Sequence, residues 1–585
     1  MLKNSNEQIF FTDEEFFRKK NSGWAYPDPR TKDPSEHFRQ RVFEVIPGIM
    51  TWTTLLGIFF ASWLFPIGAA LFIIVFDIYW LYRTFYFSFF SMAARRKMKI
   101  WEQINWLDLL KAISQRNFLK KINQEIVHLK EKIKKTKMFS SERKELKKIL
   151  RLKNYILKMV KKDYTNQKFF LDWRKIYHVL LLPTAVEEAE SILPALEAAY
   201  QSNYPKDKII ILLAMEEREP EERRKKKERI LREKYGDKFF DFLVTVHQVK
   251  DNEMKCKASN ATYAVKELVK YLEKKNISWD NVILSNLDCE TRIHREFLPA
   301  LSYAFVTEPD RYRRAYQPLP IYNNNIWDTI MVVRLLATGS AFWHMIKSMQ
   351  PENMVTFSSH SEPLKTIVAL DYWPVNVISE DSVIYWKGYD YFDGHYQVKP
   401  IYLPVSMDAV LAESYWKTLQ NQYKQKRRWA YGIENFPLFG RAALNNSKIS
   451  FWKKWKRLVV MLEGHYSWAT TSFILLLLGW LPLFLGGERF NETVLAHNLP
   501  IITRVLMSLA MIGLLFSMAL SFSMLPPKPK KYSRGKYVMM FVQWLFVPLL
   551  GVFFGLPAVD SQTRLLLGKY FGEFWVTEKL VKKEN

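Results

Sequence analysis

Long apolar segments lie near both ends of the chain and restrict its fold more than any other feature. One apolar block runs over residues 45–90, and three more run over 468–485, 499–525 and 537–556. A helix that crosses a bilayer needs about 20 predominantly apolar residues. The first block is long enough for two such helices, with a Pro/Gly break at 63–68. We therefore predict a multi-pass integral membrane protein.

Basic residues beside the apolar blocks predict the orientation of the chain. Arg39 and Arg41 precede the first block, basic residues at 95–99 follow it, and the loop 526–531 is also basic. Lys and Arg are retained on the cytoplasmic side of a membrane. The polar, acidic first residues do not resemble a cleavable signal peptide. We expect a plasma (inner) membrane protein whose central domain is cytoplasmic.

The net charge and the composition of the chain limit which kinds of molecule it can bind. The chain has 86 Lys and Arg against 59 Asp and Glu, a net charge of +27. Such a chain could bind nucleic acid, an anionic membrane surface or phosphorylated substrates. Its 20 Trp are typical of membrane interfaces, and no nucleic-acid-binding motif is present, so we expect membrane lipids and no nucleic acid as partners. Two cysteines argue against a disulfide framework and a Cys-rich metal site.

Residues 91–173 predict a basic helical hairpin. Apolar residues recur at heptad-like spacing over 122–133 and again over 146–160. Between them, 138–141 predicts a turn with a serine N-cap, followed by Glu142 in the first helical turn. We expect the charge to face solvent or lipid headgroups.

The central region, 174–435, changes to alternating strands and helices. Short continuous apolar strands joined by helices predict a mostly parallel, Rossmann-like α/β sheet covered on both faces. Ligands bind such sheets at the carboxyl ends of the strands. The predicted strands are 178–182, 209–213, 242–246 and 282–285, and the predicted helices are 187–200, 219–235 and 259–275.

Acidic residues follow two of the apolar runs. Asp288 and Glu290 come after the fourth strand, and side chains at i and i+2 of an extended segment point the same way. They can grip one hard cation, which in turn holds a diphosphate. Glu380 and Asp381 follow another apolar run, where a carboxylate can take a proton from an attacking hydroxyl. The alternative for both pairs is helix capping, for the first pair at a helix beginning near Arg295.

The segment 425–429, Gln-Lys-Arg-Arg-Trp, is the most specific motif. An Arg beside a Trp offers a bidentate partner for a diphosphate next to a flat ring on which a sugar stacks. The alternative is a basic amphipathic helix at the membrane surface.

The order of these motifs resembles a known family. A DxD-like pair, an ED pair and QxxRW, flanked by membrane helices, are similar to membrane-bound family 2 glycosyltransferases of the cellulose synthase and hyaluronan synthase type. The resemblance covers residues 174–435, and the membrane segments by arrangement. Lys257, in Lys-Ala-Ser-Asn, resembles the family's nucleotide-contacting lysine motif, and residues 574–579 resemble FxVTxK, the gating loop of bacterial cellulose synthase.

The resemblance implies a fold, a reaction and a set of partners. The fold is a glycosyltransferase-A-type cytoplasmic α/β domain with a helical transmembrane domain. The reaction is an inverting transfer from a nucleotide-diphospho-sugar, a UDP-sugar, with Mg²⁺ or Mn²⁺, to a growing glycan or a lipid acceptor. Asp288 would contact the donor, Glu290 would hold the metal with it, and Asp381 would be the general base with Glu380 beside it.

The remaining implied roles concern the nucleotide, the phosphates and the acceptor. Residues expected at the donor are Thr184, Glu187, Lys257, Gln425, Arg428 and Trp429, with Thr577 and Lys579 closing over the phosphates. Trp429 would also frame the acceptor entrance. His360 and Ser361 lie where the family lines its acceptor site, although a lone His is more often a packed, hydrogen-bonded residue.

The chain departs from the family pattern at three places. Glu290 replaces the second Asp of DxD, and the PTYNE-like segment at 183–187 lacks its Tyr and Asn. Glu216 and Glu217 follow the second strand where the family has an acidic pair, and either can recognise the nucleotide base. These changes leave the nucleotide open.

Three functions and one topology question remain open from sequence. The functions are a processive polysaccharide synthase, a non-processive transferase to a lipid acceptor, and a non-catalytic membrane scaffold. Five full spans would place Thr577 outside, so we predict that Pro548, Gly551 and Gly555 break the last segment and that the C-terminus is cytoplasmic.

The predicted organisation is an N-terminal segment 1–44, a membrane hairpin 45–90, the basic hairpin 91–173, the catalytic domain 174–435, interfacial helices 436–465, membrane helices 466–556 and an interfacial tail 557–585.

Overall fold

A computed structural model describes residues 12–115, 117–251, 253–548 and 550–572. It contains an α/β domain in the middle of the chain and long apolar helices before and after it. The predicted fold class, an α/β domain joined to a set of long apolar helices, is confirmed. Thr577, Lys579 and the predicted cytoplasmic C-terminus lie outside the described residues.

Two long helices form the N-terminal apolar pair, after one short helix. The helices are α1 Asp13–Asn21, α2 Pro34–Leu64 and α3 Pro66–Trp101. The predicted break is confirmed: α2 ends at Leu64, and Pro66 begins α3, where its missing N–H costs no helical hydrogen bond. Both helices extend beyond the predicted block 45–90, because polar residues continue the helical hydrogen bonding outside the apolar stretch.

The region predicted as a basic helical hairpin, 91–173, begins with the last turns of α3, which ends at Trp101, and then forms three further helices. Its helices are α4 Trp106–Ile113, α5 Phe118–Lys135 and α6 Ser141–Tyr164. Ser140 is the N-cap of α6, and its hydroxyl accepts a hydrogen bond of 3.1 Å from the backbone N–H of Arg143. The apolar faces of α5 and α6 pack against the α/β domain, through Ile122 and Ile156 among others. The lysines lie mostly on the opposite, exposed faces.

Eight strands form one mixed sheet in the order β3-β2-β1-β4-β7-β6-β8-β5. Strands β1 to β4 are parallel to one another and correspond to the four predicted strands. Beyond β4, β7 is antiparallel to β4 and β6, β8 is parallel to β6, and β5 is antiparallel to β8. The strands are β1 Tyr177–Pro183, β2 Ile209–Glu216, β3 Asp241–His247, β4 Val282–Asn286, β5 Arg292–Ile293, β6 Arg314–Ile321, β7 His360–Pro363 and β8 Gln397–Ser406.

Helices cover both faces of this sheet. Along β1, Leu180 and Leu182 join one hydrophobic cluster while Val179 and Leu181 join the other, so both faces of the strand are buried. That double burial explains why the parallel strands are continuously apolar. The helices are α7 Ala189–Tyr200, α8 Glu221–Tyr235, α9 Lys257–Lys274, α10 Phe297–Val306, α11 Met331–Ser348, α12 Leu364–Ala369, α13 Glu380–Tyr391, α14 Tyr415–Ala430 and α15 Asn435–Asn445.

The C-terminal apolar region contains the remaining helices. They are α16 Phe451–Leu476, α17 Leu481–Leu485, α18 Gly487–Asn491, α19 Val494–Phe522, α20 Gly535–Gln543 and α21 Gly551–Leu566. Three described helices, α2, α3 and α19, are long and apolar enough to cross a membrane, or up to five spans if each of two bent helix pairs is one span. Helix α19 packs on α3, and α21 packs on α2 and α16.

The last apolar segment is broken near Pro548 and Gly551, as predicted, but Gly555, the third residue predicted to break it, lies inside α21. A 3-10 turn ends at Phe546, and α21 begins at Gly551. Residues 557–560, where the predicted interfacial tail begins, lie inside α21, which continues to Leu566. Beyond Pro557 the helix contains an ion pair of 2.8 Å between Asp560 and Arg564, and the Ser561 hydroxyl donates to the carbonyl of Pro557.

Gly388 on α13 offers a test of the packing that positions this helix. A Cβ at Gly388 would lie 2.7 Å from the Tyr396 ring, in a buried part of the α/β domain. We expect Gly388→Ala to destabilise the protein by about 1–3 kcal/mol, because a well-packed core has no room for a methyl group. The thermal unfolding temperature in detergent measures this. Gly464→Ala is the control, since its Cβ would meet nothing within 4 Å; equal unfolding temperatures for the two variants would contradict the packing.

Candidate active site

Lys257 brings together two acidic residues that are distant in sequence. Its Nζ lies 2.7 Å from Oδ1 of Asp288 and 3.7 Å from Oε1 of Glu380. Lys257 begins α9, Asp288 follows β4, and Glu380 begins α13, so three elements of the α/β domain meet at this point. The second carboxylate oxygen of Asp288 accepts a hydrogen bond of 2.9 Å from the Ser358 hydroxyl. The structure therefore places three of the predicted site residues in one cluster.

Asp381 and Arg428 belong to the same cluster. Burial raises the pKa of Glu380 and of Asp381, and the charge of Asp381 raises the pKa of Glu380 further. The positive charges of Lys257 and Arg428 act on both carboxyls in the opposite direction. The charges of Asp288, Glu380 and Asp381 in turn all reach the Arg428 guanidinium. Three carboxylates and two cations thus share one small region.

The backbone at Asp288 differs from the prediction. The N–H of Thr291 donates to the carbonyl of Asp288 at 2.8 Å, so residues 288–291 form a turn and not an extended segment. The turn follows because β4 ends at Asn286 and the chain reverses toward β5. The capping alternative does not apply to this pair, since α10 begins at Phe297 with Glu296 as its N-cap residue.

Glu380 and Asp381 do lie at the start of a helix, as the capping alternative predicts, and they also belong to the carboxylate cluster. Both residues lie in the first turn of α13, where a negative charge interacts favourably with the helix dipole. Glu380 is nevertheless buried and lies beside Lys257. The helix start therefore stabilises the two carboxylates that the cluster uses.

Asp288 and Glu290 supply the carboxylates expected for a divalent cation. Among the described residues, no group of three or more His, Cys, Asp or Glu side chains is arranged to hold a metal ion. Mg²⁺-type cations are often held by one or two protein carboxylates, with phosphate oxygens and water as the other ligands. The turn at 288–291 removes the extended geometry from which the pairing of Asp288 and Glu290 was predicted, so a cation shared by the two stays a prediction.

The carboxyl ends of β1 and β2 carry the residues predicted to contact the nucleotide. Thr184 follows β1; its N–H donates to the carbonyl of Ala214 at 2.8 Å, and its buried hydroxyl has no partner among the described residues. Glu187 accepts hydrogen bonds from the N–H groups of residues 185 and 186. These polar groups lie at the sheet edge where α/β proteins bind ligands.

Glu216 and Glu217 have different environments. Burial raises the pKa of Glu216 to about 7, and its carboxylate pairs with Arg218 at 2.5 Å. The charge of Glu187 also reaches Glu216, so the two acids lie near each other. Glu217 is exposed. Of the two candidates for base recognition, Glu216 is the one that belongs to this strand-end region.

Helix α14 carries the QxxRW motif into the domain. Gln425 and Lys426 are buried, so the alternative of a surface amphipathic helix does not describe this part of α14. The Gln425 side-chain oxygen accepts a hydrogen bond of 3.3 Å from Gln422. The Trp429 ring packs against Tyr322, with 5.7 Å between the ring centroids.

The two predicted acceptor residues lie at the start of β7. His360 pairs with Asn286 of β4, and its Nδ1 is 2.9 Å from the carbonyl of Phe357. Burial lowers the pKa of His360 to about 4, so the ring is neutral and its Nε2 is buried without a partner among the described residues. Ser361 instead shares a hydrogen bond of 2.7 Å with Ser285 inside the sheet. A contact with an acceptor therefore stays a prediction for both.

Three residues of the site were not predicted. Ser358 binds Asp288, Tyr322 packs on Trp429, and Arg218 pairs with Glu216. Ser358 lies two residues before His360, so its proximity to the predicted acceptor segment was a usable signal. Tyr322 and Arg218 have no sequence signal, because their roles depend on contacts made in the folded chain.

Comparisons with known proteins find similarity in solved structures. No protein-family model matches the sequence, and no curated protein matches it significantly. The mannosyltransferase PcManGT of Pyrobaculum calidifontis, solved with GDP-Man and Mn²⁺, is 14% identical, with 67% of this chain and 88% of that chain covered and a TM-score of 0.37. Residues 1–349 of S. aureus TarS with UDP-GlcNAc are 14% identical, with 60% and 91% covered and a TM-score of 0.33.

A third solved structure is more distant. GalNAc-T7 with UDP, GalNAc and Mn²⁺ is 10% identical, with 50% of this chain and 58% of that chain covered and a TM-score of 0.30. At these scores, none of the similarities assigns an activity or a ligand to the chain.

Proposed function

We propose that this chain is a membrane-embedded glycosyltransferase that uses a nucleotide-diphospho-sugar donor. The observation that supports it most is the cluster in which Lys257 contacts Asp288 and Glu380, while Arg428 lies near enough for the charges of these carboxylates and of Asp381 to act on it. Clustered acids and bases at a strand end suit a metal-bound diphosphate and an attacking hydroxyl. The family resemblance of the motifs favours a glycosyltransferase-A-type, family 2 enzyme.

The residues suggest a single displacement with inversion at the anomeric carbon. Asp381 takes the proton from the acceptor hydroxyl, which then attacks the sugar from the face opposite the diphosphate. Its raised pKa makes Asp381 a stronger base than an exposed aspartate. Arg428 and Lys257 donate hydrogen bonds to the departing diphosphate, which is where negative charge develops. Asp288 and Glu290 would hold a divalent cation, which would further neutralise that charge.

The apolar helices support a membrane location, and the basic residues that flank them favour a cytoplasmic α/β domain. Helix α11 of the domain packs on α3, and α14, which carries Arg428 and Trp429, packs on α21. The acceptor side of the site thus adjoins the apolar helices, which suits a product that enters the membrane or an acceptor that resides in it. We favour a processive polysaccharide synthase; transfer of one sugar to a lipid acceptor is the second candidate, favoured by the same contact.

A donor screen tests the proposed function. The purified protein is incubated with labelled nucleotide sugars and Mg²⁺ or Mn²⁺, and released nucleoside diphosphate is measured. We expect release with at least one donor, and the label then separates the candidates: a polymer supports the synthase, and a lipid-soluble product supports the lipid transferase. No release with any donor would favour a non-catalytic scaffold.

Metal removal gives a second expected result. Because the site offers two carboxylates for a cation that also holds the donor, chelation with EDTA should lower the transfer rate about 100-fold or more, and Mn²⁺ or Mg²⁺ should restore it. Glu290→Gln should raise the metal concentration needed for half-maximal rate, whereas Glu413→Gln, an exposed acid on the domain surface, should not change it. Full activity in EDTA would contradict a metal-dependent reaction.

A further inference from the structure

Lys426 is a buried cation without an acidic partner. Its side chain lies inside the protein on α14, and Nζ is 2.6 Å from the Ser340 hydroxyl on α11. Among the described residues, no carboxylate lies within ion-pair distance of this ammonium. A buried charge without a counter-charge costs several kcal/mol, and burial accordingly lowers the pKa of Lys426 to about 7. A methionine would fill similar space at no such cost.

The position of Lys426 connects it to the acceptor side of the site. Its Nζ lies 4.2 Å from the centroid of the Trp429 ring, the side chain proposed to frame the acceptor entrance. On the other side it approaches Phe554 of α21, at 5.9 Å from the ring centroid. The ammonium therefore lies between the proposed sugar-stacking ring and an apolar helix.

A line of contacts joins this region to the carboxylate cluster. The charge of Lys426 reaches His344 on α11, and the His344 ring packs on Phe357 at 5.1 Å. Ser358, the next residue after Phe357, binds Asp288. Lys426 is thus connected to Asp288 through His344 and the segment 357–358, and it lies where α14 meets α11 and α21.

We propose that Lys426 and Ser340 form a subsite for an anionic group, a phosphate or a carboxylate, on the acceptor. This inference rests on the proposed function and names the class of acceptor that the site takes. A bound anion accepts hydrogen bonds from the Lys426 ammonium and the Ser340 hydroxyl and supplies the missing counter-charge. Its source is either the phosphate of a polyprenyl-phosphate lipid or the acidic group of a charged glycan, because both present the same chemistry.

Equilibrium binding to the purified full-length protein tests the subsite without any turnover. The radiolabelled probes are undecaprenyl phosphate against undecaprenol, and a glucuronate-terminated tetrasaccharide against its neutral counterpart. We expect the wild type to bind at least one acidic probe about 10- to 100-fold more tightly than its neutral match. Lys426→Met should abolish that difference, and Lys426→Arg should keep most of it. The acidic probe that is preferred identifies the source.

Controls separate a lost charge from a damaged fold. Lys417→Met removes a half-exposed lysine of the same helix that pairs with Glu413, and it should leave the preference unchanged. If Lys426→Met fails to fold, Ser340→Ala must still reduce the preference for the acidic probe. No acidic preference in the wild type, or a preference that persists in Lys426→Met, would overturn the subsite.

The same variants distinguish the subsite from the proposed function. With water as acceptor, the wild type and the control Lys417→Met should release nucleoside diphosphate at equal rates, which tests the donor side of the site without the subsite. If the wild type releases no nucleoside diphosphate from any donor tested, the proposed function is contradicted, while the binding comparison still decides the subsite.

Discussion

Asp381→Asn should lower the turnover number about 100- to 10,000-fold, the contribution of a positioned general base. The amide has nearly the same size as the carboxyl, so the first turn of α13 keeps its shape. It cannot accept the proton of the acceptor hydroxyl. Because Asp381 does not hold the diphosphate in the proposed mechanism, donor binding should change less than about threefold. Initial rates of nucleoside diphosphate release, measured with the donor found in the screen and its acceptor, check both values.

The matched control for this variant is Asp237→Asn. Asp237 is an exposed acid that pairs only with the neighbouring Lys238 in the described part of the chain. Its amide variant should be as active as the wild type. A wild-type turnover number in Asp381→Asn would remove Asp381 from the mechanism and contradict its role as the general base.

Arg428→Lys should lower kcat/KM for the donor about 100-fold. The substitution keeps the positive charge but loses the planar fork that forms two parallel hydrogen bonds with a diphosphate. Removing one preoriented donor to developing negative charge costs about 2.7–4 kcal/mol in a comparable site. The effect should appear in both KM for the donor and kcat, since the leaving diphosphate is held before and during the reaction.

Arg427→Lys provides the same chemical change one residue away. Arg427 pairs with Asp560 of α21 at 3.2 Å and not with the carboxylate cluster. A lysine can keep that ion pair, so kcat/KM should fall less than about threefold. Equal losses of kcat/KM in the two variants would show that the motif stabilises helix α14 and does not bind the donor.

The local sequence pattern was sufficient to predict the parallel half of the sheet and the basic hairpin. Strands β1 to β4 are continuous apolar runs because both faces are buried, and Ser140 caps α6 as its position predicted. The second half of the sheet has no such pattern. Strand β7 is His-Ser-Glu-Pro, and β6 and β8 each contain two prolines, so only pairing with distant strands makes them strands.

The sequence predicted which residues form the candidate site but not how these residues are arranged in space. The motifs named Asp288, Glu380, Asp381 and Arg428, and the structure brings them together. The central place of Lys257 between two carboxylates could not be predicted, because its partners are 31 and 123 residues away in the chain. The turn at Asp288 was missed for a related reason: the reversal depends on the pairing of β5 with β8.

Cryo-electron microscopy of the full-length protein with Mn²⁺ and the nucleoside diphosphate of the preferred donor tests the central claim most directly. We predict the diphosphate within about 3 Å of the Arg428 guanidinium, the hydrogen-bond distance of such pairs. The metal should lie between the phosphates and the Asp288 and Glu290 carboxylates, with Asp381 free to face an acceptor beside Trp429. A nucleotide bound elsewhere, or a diphosphate without contact to Asp288 and Arg428, would contradict the proposed active site.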